Sequence, residues 1–389
     1  MTFETRSSAA VRLLLVLPDP YLARTAVRSG LDVWLVIDEG RQAADFSVGA
    51  DRLIRVNEGD REALDSAVID AIARYDIAYT LSADGTPLGG DPSASGRQPD
   101  GASNSAHLLD DVQAVRSILS QSGLWRVGVH QADTTSAAAE AVGHLGFPAV
   151  IHSAEADVAV VRSAAELAKW RAAREATGAR GPYLVEERLA GPKLAVTTLT
   201  VDGMHSVVGI AAWLPAPPGP GYVYPAALAE ADERSVRTAA RSLLDLVGYQ
   251  FGPAQTSVIL TSRGPQVVRS RSRFGAYQIL RLIELAAGLD VRAELFRMLV
   301  GAPFRPPDPR WFAAVGFLPD SVRGAAAAPF PEPAQVLALP GVSELHVPTA
   351  AEDRSIPGPV DTERAYVITE GVSLAAVTES MAAVRRMLG

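Results

Sequence analysis

Cysteine is absent from the 389-residue sequence. Disulfides and thiolate metal sites are therefore excluded, and cysteine usage places no constraint on compartment. Lysine is almost absent too: Lys169 and Lys193 are the two in the chain, and nearly every other cation is arginine. Biased coding composition accounts for that, so arginine as such carries no functional meaning. No apolar run of membrane-spanning length occurs, and the first one, residues 11–17, is too short for a signal core and reads as a strand. The net charge of −8 and a pI near 5.4 leave no general basic face, which argues against nucleic acid as a partner. These absences predict a chain that binds neither membrane nor nucleic acid and works in the cytoplasm. Hydrophobic residues make up 48% of it, enough to bury a large core divided among two or three domains.

Along the first third, strands and helices alternate. Residues 11–17, 31–37, 52–56 and 77–81 have strand character, and 21–29 and 61–73 are helical, a pattern that predicts a parallel sheet with right-handed crossovers. The first turn, Leu17-Pro18-Asp19-Pro20, lacks the G-x-G-x-x-G of a dinucleotide site. Residues 86–105 are rich in Gly, Pro, Ser and Asp and predict a disordered loop or linker. Helices follow at 108–120, 135–145, 164–176 and 233–247, with strands at 158–161, 183–187, 194–201 and 205–213. Residues 214–225 carry five prolines and predict either a restricted surface loop or a lid on which Tyr222 and Tyr224 touch a ligand. The segment 303–309 is proline-rich and marks a boundary. Beyond it, strands at 311–318, 335–339, 342–347 and 366–369 and a helix at 373–388 predict an α+β closing segment.

The most informative stretch is 249–290. Residues 254–260 and 266–273 predict a hairpin closed by Ser262-Arg263-Gly264-Pro265, followed by a helix over 279–287 that ends at Gly288. Alternation puts Arg269, Arg271 and Arg273 on one strand face. A solvent-wetted edge strand carries such a row harmlessly. Otherwise the row is an anion site, since guanidinium suits carboxylate and phosphate.

Gly252, Ala254, Thr256, Leu260, Thr261, Gly264, Pro265, Ser270, Arg273 and Gly275 together resemble the catalytic hairpin of ATP-grasp carboxylate–amine ligases, which reads roughly G-x-A-H-T-E-x-x-L-T-x-x-G-P-x-x-x-E-S-x-x-R-x-G-G-D. The frame agrees while the reactive positions differ. The family's first-strand His and Glu fall on Gln255 and Ser257, its metal-binding Glu on Arg269, the polar position two on is Arg271, and its closing Gly-Asp is Ala276-Tyr277. Elsewhere, the family's two phosphate-contacting lysines fall on Val112 and His152, and its glycine loop falls on Ala154-Glu155-Ala156-Asp157. Its G-x-E carboxylate falls on Lys193, and the adenine-hinge acids Glu186 and Glu187 are retained.

The resemblance implies an α/β and α+β architecture: an N-terminal preATP-grasp domain (1–105), an ATP-grasp domain (106–302) and a C-terminal closing α+β segment (303–389). It implies that no metal and no cofactor is held, and that the site residues serve an anionic, carboxylate-bearing small molecule, as a repurposed metal- and ATP-independent enzyme or binder of specialised metabolism. His152, Glu186 and Glu187 are the acid–base candidates. Arg269, Arg271, Arg273, Lys193, Gln255, Ser257, Tyr222 and Tyr224 are the ligand-binding candidates. An ATP-dependent ligase that is still active, and a non-catalytic subunit docked on a ligase partner or paired as a homodimer, stay open as alternatives.

Overall fold

The computed structural model describes residues 10–57, 59–82, 102–123, 127–153, 158–215, 220–318, 332–348 and 364–388. It opens on β1 (Arg12–Val16), α1 (Pro20–Arg28), β2 (Asp32–Asp38), β3 (Leu53–Val56), α2 (Arg61–Tyr75) and β4 (Tyr79–Ser82). The four strands form one parallel sheet in the order β3-β2-β1-β4, as the alternation of strand and helix predicts. Asp19 caps α1 by accepting from the Leu22 N–H at 2.8 Å, and Pro20 sits in the first turn, where its missing donor costs nothing. That turn is thus a helix start. The linker expected at 86–105 lies outside the described residues up to 101, and 102–105 already belong to a helix.

Next come α3 (Ala102–Asp110), α4 (Val112–Gln121), β5 (Val129–Ala132), α5 (Thr135–Leu145), β6 (Ala149–Ser153), β7 (Val158–Val161), α6 (Ala164–Thr177) and β8 (Tyr183–Glu187). The four strands among them form a second sheet, β5-β8-β6-β7, all antiparallel. One face of it packs Ala132, Ala149, Ile151, Tyr183 and Val185 against Ala138, Ala141 and Val142 of α5. Residues 119–192 and 259–266 make up this smaller compact unit, and the rest of the chain makes up the larger one.

The larger unit continues with β9 (Lys193–Val201), β10 (Met204–Leu214), β11 (Gly221–Tyr224), α7 (Glu230–Leu246), β12 (Gly252–Thr261), β13 (Gly264–Arg271), α8 (Tyr277–Ala287), α9 (Val291–Leu299), β14 (Phe312–Phe317), α10 (Pro333–Leu337), β15 (Val342–His346), β16 (Tyr366–Gly371) and α11 (Leu374–Leu388). Its sheet runs β13-β12-β9-β10-β11-β14-β16-β15. One face buries Ala195, Leu199, Val201, Ala313, Val315 and Ile368 under Leu282, Ile283, Leu295 and Phe296 of α8 and α9, in a core shared with Leu13 and Leu35 of the parallel sheet. Among the described residues no helix is long and apolar enough to cross a membrane.

Two local expectations are corrected. Residues 335–339, read as a strand, belong to α10 and the turn after it. Pro333 occupies the first helical turn and Val336 is the buried anchor, so a five-residue helix forms where the alternation of apolar residues suggested extension. Residues 221–224, read as loop or lid, form β11. Its neighbours β10 and β14 pair with it on both sides, and this pairing outweighs its Gly- and Pro-rich flanks.

Candidate functional site

β12 and β13 are hydrogen-bonded neighbours joined by the two-residue turn Ser262-Arg263, the hairpin expected from the sequence. Their side chains sort onto two faces. The Thr256 and Ser270 hydroxyls, both buried, lie 2.9 Å apart and mark one face. Alternation then puts Gln255, Ser257, Arg269 and Arg271 on the other. There the Thr197 hydroxyl of β9 donates to Gln255 Oε1 at 3.1 Å. Gly275 lies hard against the same amide: a Cβ on it would stand 2.1 Å from Gln255 Oε1. An alanine there would fit only by displacing the end of the Gln255 side chain.

β13 is the edge of its sheet, and helices α3 and α4 hold it there. Arg116, buried to 4% exposure, donates from Nη1 to the Val267 carbonyl at 2.8 Å, satisfying an edge acceptor. The Asp110 carboxylate accepts from the Ser272 N–H at 3.1 Å and its hydroxyl at 2.9 Å, fixing the backbone as it leaves the strand. Asp110 drew no attention in the sequence. It lies 162 residues from Ser272, and nothing in its local pattern signals the contact. The strand ends at Arg271, so Arg273 belongs to the bend beyond it instead of the strand itself.

Arg269 is exposed, while Arg271 and Arg273 are half-buried. Among the described residues none of the three has a hydrogen bond or ion-pair partner, and Arg271 Nε is a buried donor without an acceptor. Partial burial, and then the charges of Arg271 and Arg273, push the Arg269 guanidinium below its ordinary pKa; Tyr222 acts in the opposite sense. The three cations therefore feel one another, with the Tyr222 ring side in range. Several arginines elsewhere are matched: Arg281 with Glu284 and Glu344, Arg292 with Asp19, and Arg297 and Arg305 with Glu294.

The other nominated residues distribute as follows. Ser257 is half-buried on the arginine face, and Lys193 is exposed at the start of β9. Tyr222 on β11 packs edge-on against Trp213 at 5.0 Å. Tyr224 is a core residue at 3% exposure, packed over Gly209, and burial pushes its phenol up to about 12. In the smaller unit, antiparallel β6 and β8 bring His152 Nε2 to 3.1 Å from Glu186 Oε2, with the Glu186 side chain nearly buried. Glu187 is engaged by Arg263, whose Nη2 donates to both carboxylate oxygens at 2.8 and 2.9 Å. The acid-bearing segment 154–157 lies outside the described residues.

No family model matches the sequence, and no curated protein does. Solved structures do match. The L-amino acid ligase of Bacillus licheniformis superposes with a TM-score of 0.69 at 18% identity, covering 97% of each chain. The N5-carboxyaminoimidazole ribonucleotide synthetase of Thermotoga maritima gives 0.71 at 13%, over 97% of this chain and 98% of that one. The biotin carboxylase of Campylobacter jejuni gives 0.63 at 15%, over 97% and 91%. The chain has the fold of these proteins, the ATP-grasp fold. Coverage at this level means that the likeness runs along the whole chain and is not confined to one part of it. Among the described residues, no group of three or more His, Asp or Glu side chains is arranged to hold a metal ion.

Proposed function

We propose that this chain is an ATP-grasp-fold protein that dispenses with Mg²⁺ and ATP and acts, as enzyme or binder, on an anionic small molecule bearing a carboxylate. The observation that carries this reading is the hairpin face with the bend after it: Arg269 and Arg271 on the face and Arg273 in the bend, without an ion-pair partner among the described residues, beside Gln255 and Ser257, with no carboxylate among the side chains of that face. Mg²⁺ is a hard cation that demands oxygen ligands, several of them anionic. A hydroxyl, an amide and guanidiniums do not supply them, so the residues present do not fit the cation that the fold implies. Fixed guanidinium charge serves instead: it needs no metal and cannot be titrated away at neutral pH. Its planar fork holds a carboxylate through two charge-assisted hydrogen bonds.

On the enzyme reading, the acid–base candidate of the smaller unit is His152, with Glu186 as the carboxylate that orients its ring. Glu187 is taken up by Arg263 and is a poorer candidate than Glu186. Isothermal titration is the test. ATP affinity should be the same with magnesium and with EDTA, and small carboxylic acids should bind in EDTA. Magnesium-dependent release of ADP or AMP, coupled to joining an amine and a carboxylate, overturns the proposal and returns the chain to the active ligases.

A further inference from the structure

We infer that the ligand of the arginine face is a compact polyanion with at least two negative groups, and that Gln255 receives one of its oxygens. The inference rests on the metal-free anion site proposed above and specifies what that site selects. Charge balance is the first argument. Arg269, Arg271 and Arg273 bring three positive charges within range of one another, and no carboxylate is among the groups that act on Arg269. Asp110, the acid bound next to Arg271 and Arg273, is committed to the Ser272 backbone and hydroxyl. A monocarboxylate leaves two of the three charges uncompensated, and like charges close together oppose one another. A di- or tricarboxylate, or a ligand combining carboxylate with phosphate, compensates most or all of them. Spacing agrees: Arg269 and Arg271 are two residues apart on a strand, about 7 Å at a rise of about 3.3 Å per residue, so two anionic groups a few bonds apart each meet a guanidinium.

The second argument is independent of charge. Gln255 Nε2 and Arg271 Nε are both buried donors without acceptors, and both side chains lie on this face. The Thr197 hydroxyl and the close approach of Gly275 account for the Gln255 oxygen, so the amide presents its N–H group. A buried donor left unmade is costly, and a ligand oxygen beside the guanidiniums satisfies it. Because the amide is neutral, it adds a contact without adding charge. It therefore discriminates among ligands by where their oxygens sit, beyond how many charges they carry.

The experiment titrates the full chain in EDTA with acetate, succinate, citrate and inorganic pyrophosphate, and repeats the series with Gln255→Leu, Gln255→Glu and Gly275→Ala. Succinate or citrate should bind at least tenfold more tightly than acetate. Gln255→Leu should weaken the better ligand about tenfold, in line with a lost hydrogen bond to a charged group. Gly275→Ala should weaken it as well, since its Cβ displaces the amide. Gln255→Glu is the variant that separates a ligand contact from a structural one: its carboxylate should pair with Arg271, weaken anion binding and raise the melting temperature. Should pyrophosphate bind more tightly than the carboxylates, with the same dependence on Gln255, the polyanion stands and the ligand is phosphate-bearing. Equal affinity for acetate and succinate, with Arg271→Ala still weakening both, overturns this inference while leaving the anion site intact. Absence of any binding in EDTA overturns the anion site and this inference together.

Discussion

Replacing Glu294 by alanine should lower the stability of the protein by about 3 kcal/mol, the lower end of what breaking a buried ion pair costs. Glu294 on α9 is fully buried, and its carboxylate is surrounded by donors. Arg297 donates from Nε at 2.9 Å and from Nη2 at 2.6 Å. Arg305 donates from its backbone N–H at 2.8 Å, and from Nε and Nη2 at 3.3 and 3.1 Å. One acid thereby ties the proline-rich segment after α9 to the helix. The lower end of the range applies because Arg305 is largely exposed and can be rehydrated once the acid is gone. Burial alone would raise the Glu294 pKa, but the hydrogen bonds from Arg297 and Arg305 outweigh it and hold the carboxyl below its ordinary value. A depressed folded pKa means that the contribution is present above the unfolded carboxylate pKa of about 4.3 and is lost as pH falls through the folded value. Urea unfolding of the parent and of Glu294→Gln should therefore differ at pH 7 and converge in acid. Midpoints for Glu294→Ala that match the parent at pH 7 would show that the cluster contributes nothing.

The Glu294 cluster was not visible in the sequence, although part of its setting was. Asp290 is an ordinary helix cap, accepting from the Arg292 and Ala293 N–H groups, and it is the local signal for α9 just after Gly288. What local pattern does not contain is that Arg305, past the apparent boundary at 303–309, folds back to the same acid. Elements announced by local signals behave differently. α5, β7 and β8 match the expected bounds residue for residue, and the hairpin turn falls where Ser262-Arg263-Gly264-Pro265 put it, because hydrophobic period and turn chemistry are local signals. Short segments fail where neighbours decide, as β11 and α10 do. The same division holds at the candidate site. Alternation along one strand was enough to place Arg269 and Arg271 together. The donation of Thr197 to Gln255 links residues 58 apart, and the 3.1 Å approach of His152 to Glu186 depends on the pairing of β6 with β8. Both are tertiary facts.

The double variant Arg269→Ala/Arg271→Ala should lose about a hundredfold or more in affinity for succinate or citrate while becoming more stable than the parent without ligand. Each hydrogen bond to a charged group is worth about 1.5–3 kcal/mol, and about 1.4 kcal/mol is tenfold in affinity. The two sites are neighbours and couple, so the lower end of their sum applies. The stability change runs the other way because neither arginine has an ion-pair partner among the described residues, and each raises the potential at the other two guanidiniums. Removing them relieves that repulsion. Solvent reaches the exposed Arg269, so the gain should be modest, about 0.2–1 kcal/mol. Salt provides a second reading of the same physics: raising ionic strength should stabilise the ligand-free parent more than the variant, because screening acts on a repulsion that only the parent has. Arg241→Ala, on the exposed side of α7, serves as the control and should leave anion affinity unchanged. Opposite signs for binding and stability are what distinguish a site from a solvated edge strand. On a solvated edge, losing two arginines changes neither quantity beyond a few tenths of a kcal/mol. If the double variant binds both acids as the parent does, the arginine row is surface and the function lies elsewhere in the fold.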